Sequence, residues 1–452
     1  MKKILAILLA CVLCLSVVAA CGSDTGGTTP APAPAAPAEP AAPGEDPAPA
    51  PAPAPGGANE ITLVNNKIEI DAALKAYALV YEQQTGVKVN IQSFGGETPY
   101  APALTSLFTS GIEPEIFVFE GLAGYEEARD AGRLTDLSNE LWVADTDVAF
   151  VADGKVYGFP VALEGWGLGY NKDLLDQAGV DPATLTNVGA IRAAFEKIDG
   201  MKDELGIDGV ISMVAGPGMT WVTGLHGVNA YLTLGLPYAD ADKYIDMMLG
   251  GQVDHDRLTK WAEYYNMLFE YAIANRLLVG GYDEQVTDFA IGRTVFIHQG
   301  NWIEPMLIGD LGASFPMGYA PHAFLDENTD GIFVAAPSFY LVNARSENVD
   351  AALLFLEALA MTPEGHDYTV NGAGMIPAFK SITLQPSGGL SQSVQKWASE
   401  GKIYNWKQND MPSGFGMNGL GPIFTEMASG NIDVAGFVDL VTAEVNNIGA
   451  RD

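Results

Sequence analysis

Between residue 60 and the C-terminus, apolar positions alternate between strand-like and helix-like spacing. Residues 61–64 read as a strand. Asp71 then looks like an N-cap, and Leu74, Tyr77 and Tyr81 share one face of a helix ending at Gly86. Residues 87–91 and 115–119 are further strands, and 121–131 is a helix closed by Gly132. Helices are expected over 171–178 and 188–198, a strand over 210–214, and a long helix over 257–275. Trp261, Tyr264, Tyr265, Leu268 and Tyr271 lie near one face of that long helix, a core stripe. Residues 294–298 form a strand, a helix starts near Trp302, 333–343 holds one strand, and 349–360 is a helix. From Ser391 onward the pattern is mostly helical. Repeated strand–helix units indicate α/β layers.

Composition adds a different beginning. Lys2 and Lys3 precede an apolar run over 4–20, interrupted only by Ser16, and the stretch ends Val18-Ala19-Ala20-Cys21-Gly22. A basic start, an apolar stretch and small residues before the junction read as a secretory signal over 1–20. The ending resembles a bacterial lipobox, which implies lipidation of Cys21. Cys11 and Cys14 would leave with the signal, so the expected mature chain has no thiol for a disulfide, a zinc cluster or a nucleophile. From 21 to 59 the chain is Pro- and Ala-rich, with eleven prolines from Pro30 to Pro55. Such a segment favours extended polyproline II and buries too little apolar surface to fold, so it reads as a tether. The formal net charge of −33 argues against nucleic acid and anionic lipid as partners.

The chain lacks the motifs of several enzyme classes. There is no G-x-S-x-G, no P-loop, and no paired His spacing for a metal; His226, His255, His298, His322 and His366 are scattered and read as surface or hydrogen-bonding residues. No cofactor and no metal is expected. Glu120 and Glu164 both follow apolar strands, near the strand ends where α/β sheets bind ligands. They suit either a glycosidase pair or hydrogen bonds to sugar hydroxyls, and for any single glutamate a solvated loop position is the commoner case. Trp166, Trp221, Trp302 and Trp406 sit beside Gly, Thr or Asn in turn-like contexts. Flat rings with carboxylates and amides suit an uncharged polyol or a cation. They suit a phosphate badly without an Arg cluster.

Several stretches together resemble the extracellular solute-binding proteins of ABC transporters, in the sugar-binding group that includes maltose-binding protein. They are TGVKVNIQ (85–92), EPEIFVFEG (113–121), GRLTDLS (132–138), GKVYGFPVALEGWGLGYNKDLLDQAGV (154–180), IGRTVFIHQGNW (291–302), DAALLFLEALAMTPEG (350–365) and GAGMIPAF (372–379). The resemblance covers nearly the whole body and implies a two-lobed α/β fold with a hinge and an interlobe ligand cleft. It places lobe 1 at about 60–163 and 336–380 and lobe 2 at about 167–332 and 385–452. The crossings fall near 162–166, 333–338 and 375–390.

Carried over by position, Glu164 accepts sugar hydroxyls and Trp302 stacks on sugar, with Asn301 beside it in QGNW. Glu120 lies near the family's other acidic ligand residue. Asn66 and Lys67 stand at the end of the first strand, where relatives often contact ligand. Trp221 lies in a loop reaching the cleft. Trp406 and Phe415 are alternatives for a late stacking ring, and Trp166 either stacks on ligand or packs in the hinge. The implied partners are a carbohydrate, the permease subunits of an ABC importer, and the outer face of a plasma membrane through the lipid on Cys21; a monomer is expected. A polyamine or peptide ligand on the same fold, or a surface glycosidase, are the alternatives.

Overall fold

The computed structural model describes residues 60–95, 100–119 and 121–449. The expected signal, the tether, Cys21 and Glu120 lie outside the described residues. Twelve strands lie in chain order among them: β1 Glu60–Asn65, β2 Lys88–Ser93, β3 Ile116–Phe119, β4 Phe150–Ala152, β5 Lys155–Pro160, β6 Glu164–Asn171, β7 Gly209–Ser212, β8 Thr294–Gly300, β9 Met317–Ala320, β10 Ile332–Ala335, β11 Phe339–Val342 and β12 Ile403–Tyr404. They form two sheets, ordered β2-β1-β3-β11-β5-β4 and β12-β10-β6-β8-β7. In the first, β1 is parallel to β2 and β3, and β11 runs antiparallel between β3 and β5. In the second, β6 is central. Antiparallel β8 flanks one side of it, and β10 followed by β9 flanks the other. Each sheet carries its own core, so the body is a two-lobed α/β protein.

The interiors follow from the patterns. Leu74, Tyr77, Ala78 and Tyr81 are the buried face of the helix Asp71–Thr85. On the helix His255–Glu270, Trp261, Tyr264, Tyr265 and Leu268 are all buried, and Trp261 meets Phe424 and Phe437 from the C-terminal helices edge-on. That helix ends at Glu270, short of 275. Its start is capped by the Asp254 carboxylate, which accepts from the Arg257 amide at 3.0 Å.

Four expectations are corrected. Asp71 does not cap its helix: the tight turn Ile68–Ile70 runs straight into it, so Asp71 is already helical and pairs with Lys75 one turn on. The single strand expected over 333–343 is two strands in different sheets, β10 and β11, divided at Ala336-Pro337-Ser338. Glu164 does not close a strand. It opens β6, and Trp166 lies within that strand rather than in a turn.

The segments joining the sheets run side by side. The Val161 amide donates to the Ser338 carbonyl at 3.1 Å, and the Leu163 amide to the Ile376 carbonyl at 2.9 Å. Immediately after this, Gly165 passes beneath the helix Gly389–Ser399. A Cβ on Gly165 would stand 2.2 Å from a Val394 methyl. Replacing Gly165 with Ala is therefore expected to lower stability by about 1–3 kcal/mol, the usual result of overpacking. Urea unfolding checks this: the midpoint should fall while the m-value stays that of the parent.

Candidate functional site

Two groups of side chains, one drawn from both lobes and one from the second lobe alone, meet near the crossing segments. The first is charged. β1 ends at Asn65, and the turn that follows carries Asn66, Lys67 and Glu69. The Lys67 ammonium is paired with the Glu164 carboxylate and lies 3.8 Å from Glu69. Only about a tenth of each of these three side chains is exposed. Burial pushes the Glu69 carboxyl above its ordinary value, Lys67 opposes that shift, and Glu164 adds to it.

The second group is aromatic and comes wholly from the second lobe. β8 ends at Gly300, and Trp302 sits in the turn Asn301–Ile303. Its ring centroid lies 5.0 Å from His226, 5.9 Å from Trp406 and 6.4 Å from Trp221. His226 also meets Trp221 and Trp406 edge-on, at 5.5 and 5.3 Å. Trp221 and His226 are the two ends of one π-helical turn, Trp221–His226. Tyr282 stacks obliquely on Trp221 at 5.8 Å, and its buried hydroxyl has no partner among the described residues. The two groups are close enough to interact electrostatically. Burial raises the Tyr282 phenol well above its usual range, with Glu69 and Glu164 adding to this. Burial lowers the His226 imidazole to about 4, opposed by Gln408 and assisted by Lys67.

The sequence places these rings through a few tight fits. A Cβ on Gly300 would lie 1.9 Å from the Trp302 ring, so glycine alone lets the indole fold back against its own strand. There the Trp302 indole N–H donates to Gln299 at 3.0 Å. Asn301, just before Trp302, and Glu304, two residues after it, are pins. Asn301 accepts from the Gly165 amide at 2.7 Å and donates to the Ser391 hydroxyl at 3.1 Å. Glu304, 3% exposed, accepts from the Ser391 amide at 2.9 Å and from the Leu390 amide. Trp406 is held by Asn229, whose Oδ1 accepts from the Lys407 and Gln408 amides at 2.8 and 2.9 Å. The Trp221–His226 turn rests on the turn Phe415–Leu420 through bare backbone: a Cβ on Gly224 would stand 2.2 Å from the Gly416 carbonyl. The helix Gly121–Asp130 of the first lobe packs against the turn Gln408–Asp410 of the second, so the lobes also approach each other there.

Of the residues named from sequence, Glu164, Lys67, Trp221, Trp302 and Trp406 are brought together. Asn66 adjoins them on the β1 turn. Asn301 is beside them but is occupied by Gly165 and Ser391. Phe415 is 4% exposed in the second lobe's core. Trp166 is fully buried against His322, Phe333 and His298, at 4.2, 5.0 and 5.2 Å. Glu69, His226, Tyr282, Asn229 and Gln408 were missed. The histidines are not surface residues at 226, 298 and 322: His298 and His322 are wholly buried and 4.7 Å apart, and His226 is half-buried. Among the described residues no three metal-ligating side chains converge.

The pattern of the family described as bacterial extracellular solute-binding protein matches residues 76–400. The chain belongs to that family. Solved structures agree in fold. RafE in complex with raffinose superposes on this solute-binding protein with a TM-score of 0.71 and 18% identity, covering 86% of this chain and 99% of that one. A Bacillus licheniformis sugar transporter protein in complex with stachyose gives 0.68 and 18%, covering 86% and 100%. A Listeria monocytogenes ABC substrate-binding protein in complex with cycloalternan gives 0.65 and 19%, covering 86% and 98%. No curated protein sequence matches the chain. Among the described residues no helix is long and apolar enough to cross a membrane.

Two outcomes are expected of this site in the solute-binding protein. Gly300→Ala should force the Trp302 ring out of the cluster, changing tryptophan fluorescence and near-UV dichroism while the far-UV spectrum stays unchanged. The imidazoles set a pH dependence. His226 and His298 fall from 6.5 to about 4 and about 3 in the fold, chiefly through burial. The unfolded chain then binds more protons between these values, so this stability is complete above about pH 6.5 and is lost as pH falls toward 4. Urea midpoints measured across that window should fall on acidification, and the fall should be shallower in His298→Gln.

Proposed function

We propose that this chain is a lipid-anchored extracellular receptor that binds a sugar or oligosaccharide between its lobes and delivers it to an ABC importer. The observation that carries this reading is the cluster of Trp221, Trp302 and Trp406 set against Glu164, Lys67 and Glu69. Indole faces cover the C–H faces of a pyranose, and the paired charges supply acceptors and a donor for its hydroxyls. The ligands of the similar structures (raffinose, stachyose and cycloalternan) are of this class. Capture and release need no bond chemistry. In this reading lobe 1 comprises about 60–163 and 336–380, lobe 2 about 167–332 and 385–452, and the crossings act as the hinge. Ligand favours the closed form by binding it better than the open one. A monomer tethered over 21–59 by lipid on Cys21 would remain beside its permease.

The alternative is a polyamine, because the same rings beside two carboxylates would attract a cation. Lys67 weighs against it: its ammonium already occupies Glu164, and a second cation there would be repelled.

Thermal-shift titration with raffinose, stachyose, maltotriose, chitotriose and spermidine separates the readings, since a native-state ligand at a hundred times its Kd adds about 2.7 kcal/mol. A sugar is expected to raise Tm, and Trp302→Ala is expected to weaken that sugar at least tenfold, ~1.4 kcal/mol, with little change in the ligand-free Tm. Response to spermidine alone, or sugar affinity untouched by Trp302→Ala, overturns the proposal. Hydrolysis of any of these sugars would favour a glycosidase instead.

A further inference from the structure

The side chain the site is built around is His226, and its protonation state follows from a chain of fixed donors and acceptors. Asn229, fully buried, receives two backbone amides, Lys407 and Gln408, on its Oδ1. Backbone amides only donate, so the atom they point at is the carbonyl oxygen and the other terminal atom is the amide nitrogen. That Nδ2 donates to the His226 carbonyl at 3.0 Å and to Gln408 Oε1 at 2.8 Å. An atom accepting from Nδ2 is the oxygen of the Gln408 amide, so its orientation is fixed as well. The same oxygen lies 2.8 Å from His226 Nδ1, which must therefore carry the proton. A neutral imidazole with its proton on Nδ1 has a bare lone pair on Nε2. Nε2 accepts from no described residue and remains reachable by solvent within the Trp221, Trp302 and Trp406 cluster.

We infer that His226 is a specificity-determining residue of this site: Asn229 and Gln408 lock its Nδ1–H tautomer, and its Nε2 accepts a hydrogen bond from an O–H or N–H of the bound ligand. The inference rests on the proposed binding function and deepens it. The ligand must place a donor where the three indoles meet, and an analogue with an ether or a deoxy carbon there leaves Nε2 buried and unpaired, a heavy penalty in a desolvated pocket. Asn229 and Gln408 are positioning residues that act through the imidazole. The depressed basicity of His226, to about 4, keeps Nε2 an acceptor at neutral pH.

The test is nitrogen NMR on the full chain labelled with 15N-histidine, with and without raffinose. Ligand-free at pH 7, the resonances assigned by loss in His226→Gln should show a protonated Nδ1 and a bare Nε2. Gln408→Leu should mix the two tautomers. Saturating raffinose should shift the Nε2 signal, and His226→Phe should weaken raffinose at least tenfold while the ligand-free Tm holds. A ligand-free ring protonated on Nε2 overturns the inference, as does raffinose binding that leaves the Nε2 signal unmoved. Where raffinose does not bind, the sugar that raises Tm in the thermal-shift titration replaces it as the probe; if none of the four sugars raises Tm the proposed sugar ligand fails, and a ligand-free ring protonated on Nε2 still overturns this inference by itself.

Discussion

The lobes of this protein are joined by segments that are hydrogen-bonded to each other, not by loose connectors. Val161 with Ser338 and Leu163 with Ile376 tie the crossing segments into a short ladder of their own. Loops carry polar backbone that must find partners, and here the crossings satisfy one another. The consequence is positional. Glu164 is the first residue beyond this ladder, its neighbour Gly165 is fixed by Asn301 and by the close approach of Val394, and Lys67 reaches it from the other lobe. A carboxylate at the junction therefore reports the relative placement of the lobes, because its partner belongs to the other sheet.

The aromatic side is ordered by different means. Four rings, Trp221, His226, Trp302 and Trp406, converge from three separate stretches of chain, and none is placed by the regular part of a helix or strand. Asn229 joins two of those stretches with four hydrogen bonds, and Asn301 and Glu304 secure the third. Buried polar groups of this kind are costly unless fully paired. They are paired here, which gives the rings one arrangement rather than several.

The regular layers were legible because period and burial agree: the Leu74, Tyr77, Tyr81 face and the Trp261 to Leu268 stripe are interior as their spacing requires. Chain crossings were less legible. An apolar run over 333–343 looks the same whether it stays in one sheet or changes sheets, and only Pro337 hinted at the break. The hairpin of β4 and β5 carried a stronger signal that went unread, Asp153-Gly154, where both residues adopt positive φ. Within the site, Trp302 and Glu164 stood out by residue type and resemblance. Asn229 and Gln408 had no signal, because an amide acquires its role only from backbone groups brought to it by the fold. Trp166 misled for the converse reason: its glycine neighbours, Gly165 and Gly167, suggested a turn, yet they are small because the strand is crowded by Val394 and by the Ala320 carbonyl.

The turn Trp221–His226 is a helix wound one residue too loosely. In that winding, positions five apart stand side by side, which is how an indole and an imidazole separated by Val222, Thr223, Gly224 and Leu225 come into edge-on contact. Deleting one residue from the interval would tighten the coil to ordinary pitch and rotate the imidazole away from the tryptophans. The placement of these rings is thus stored partly as chain length, and insertion or deletion would shift it along an axis that side-chain replacement does not reach.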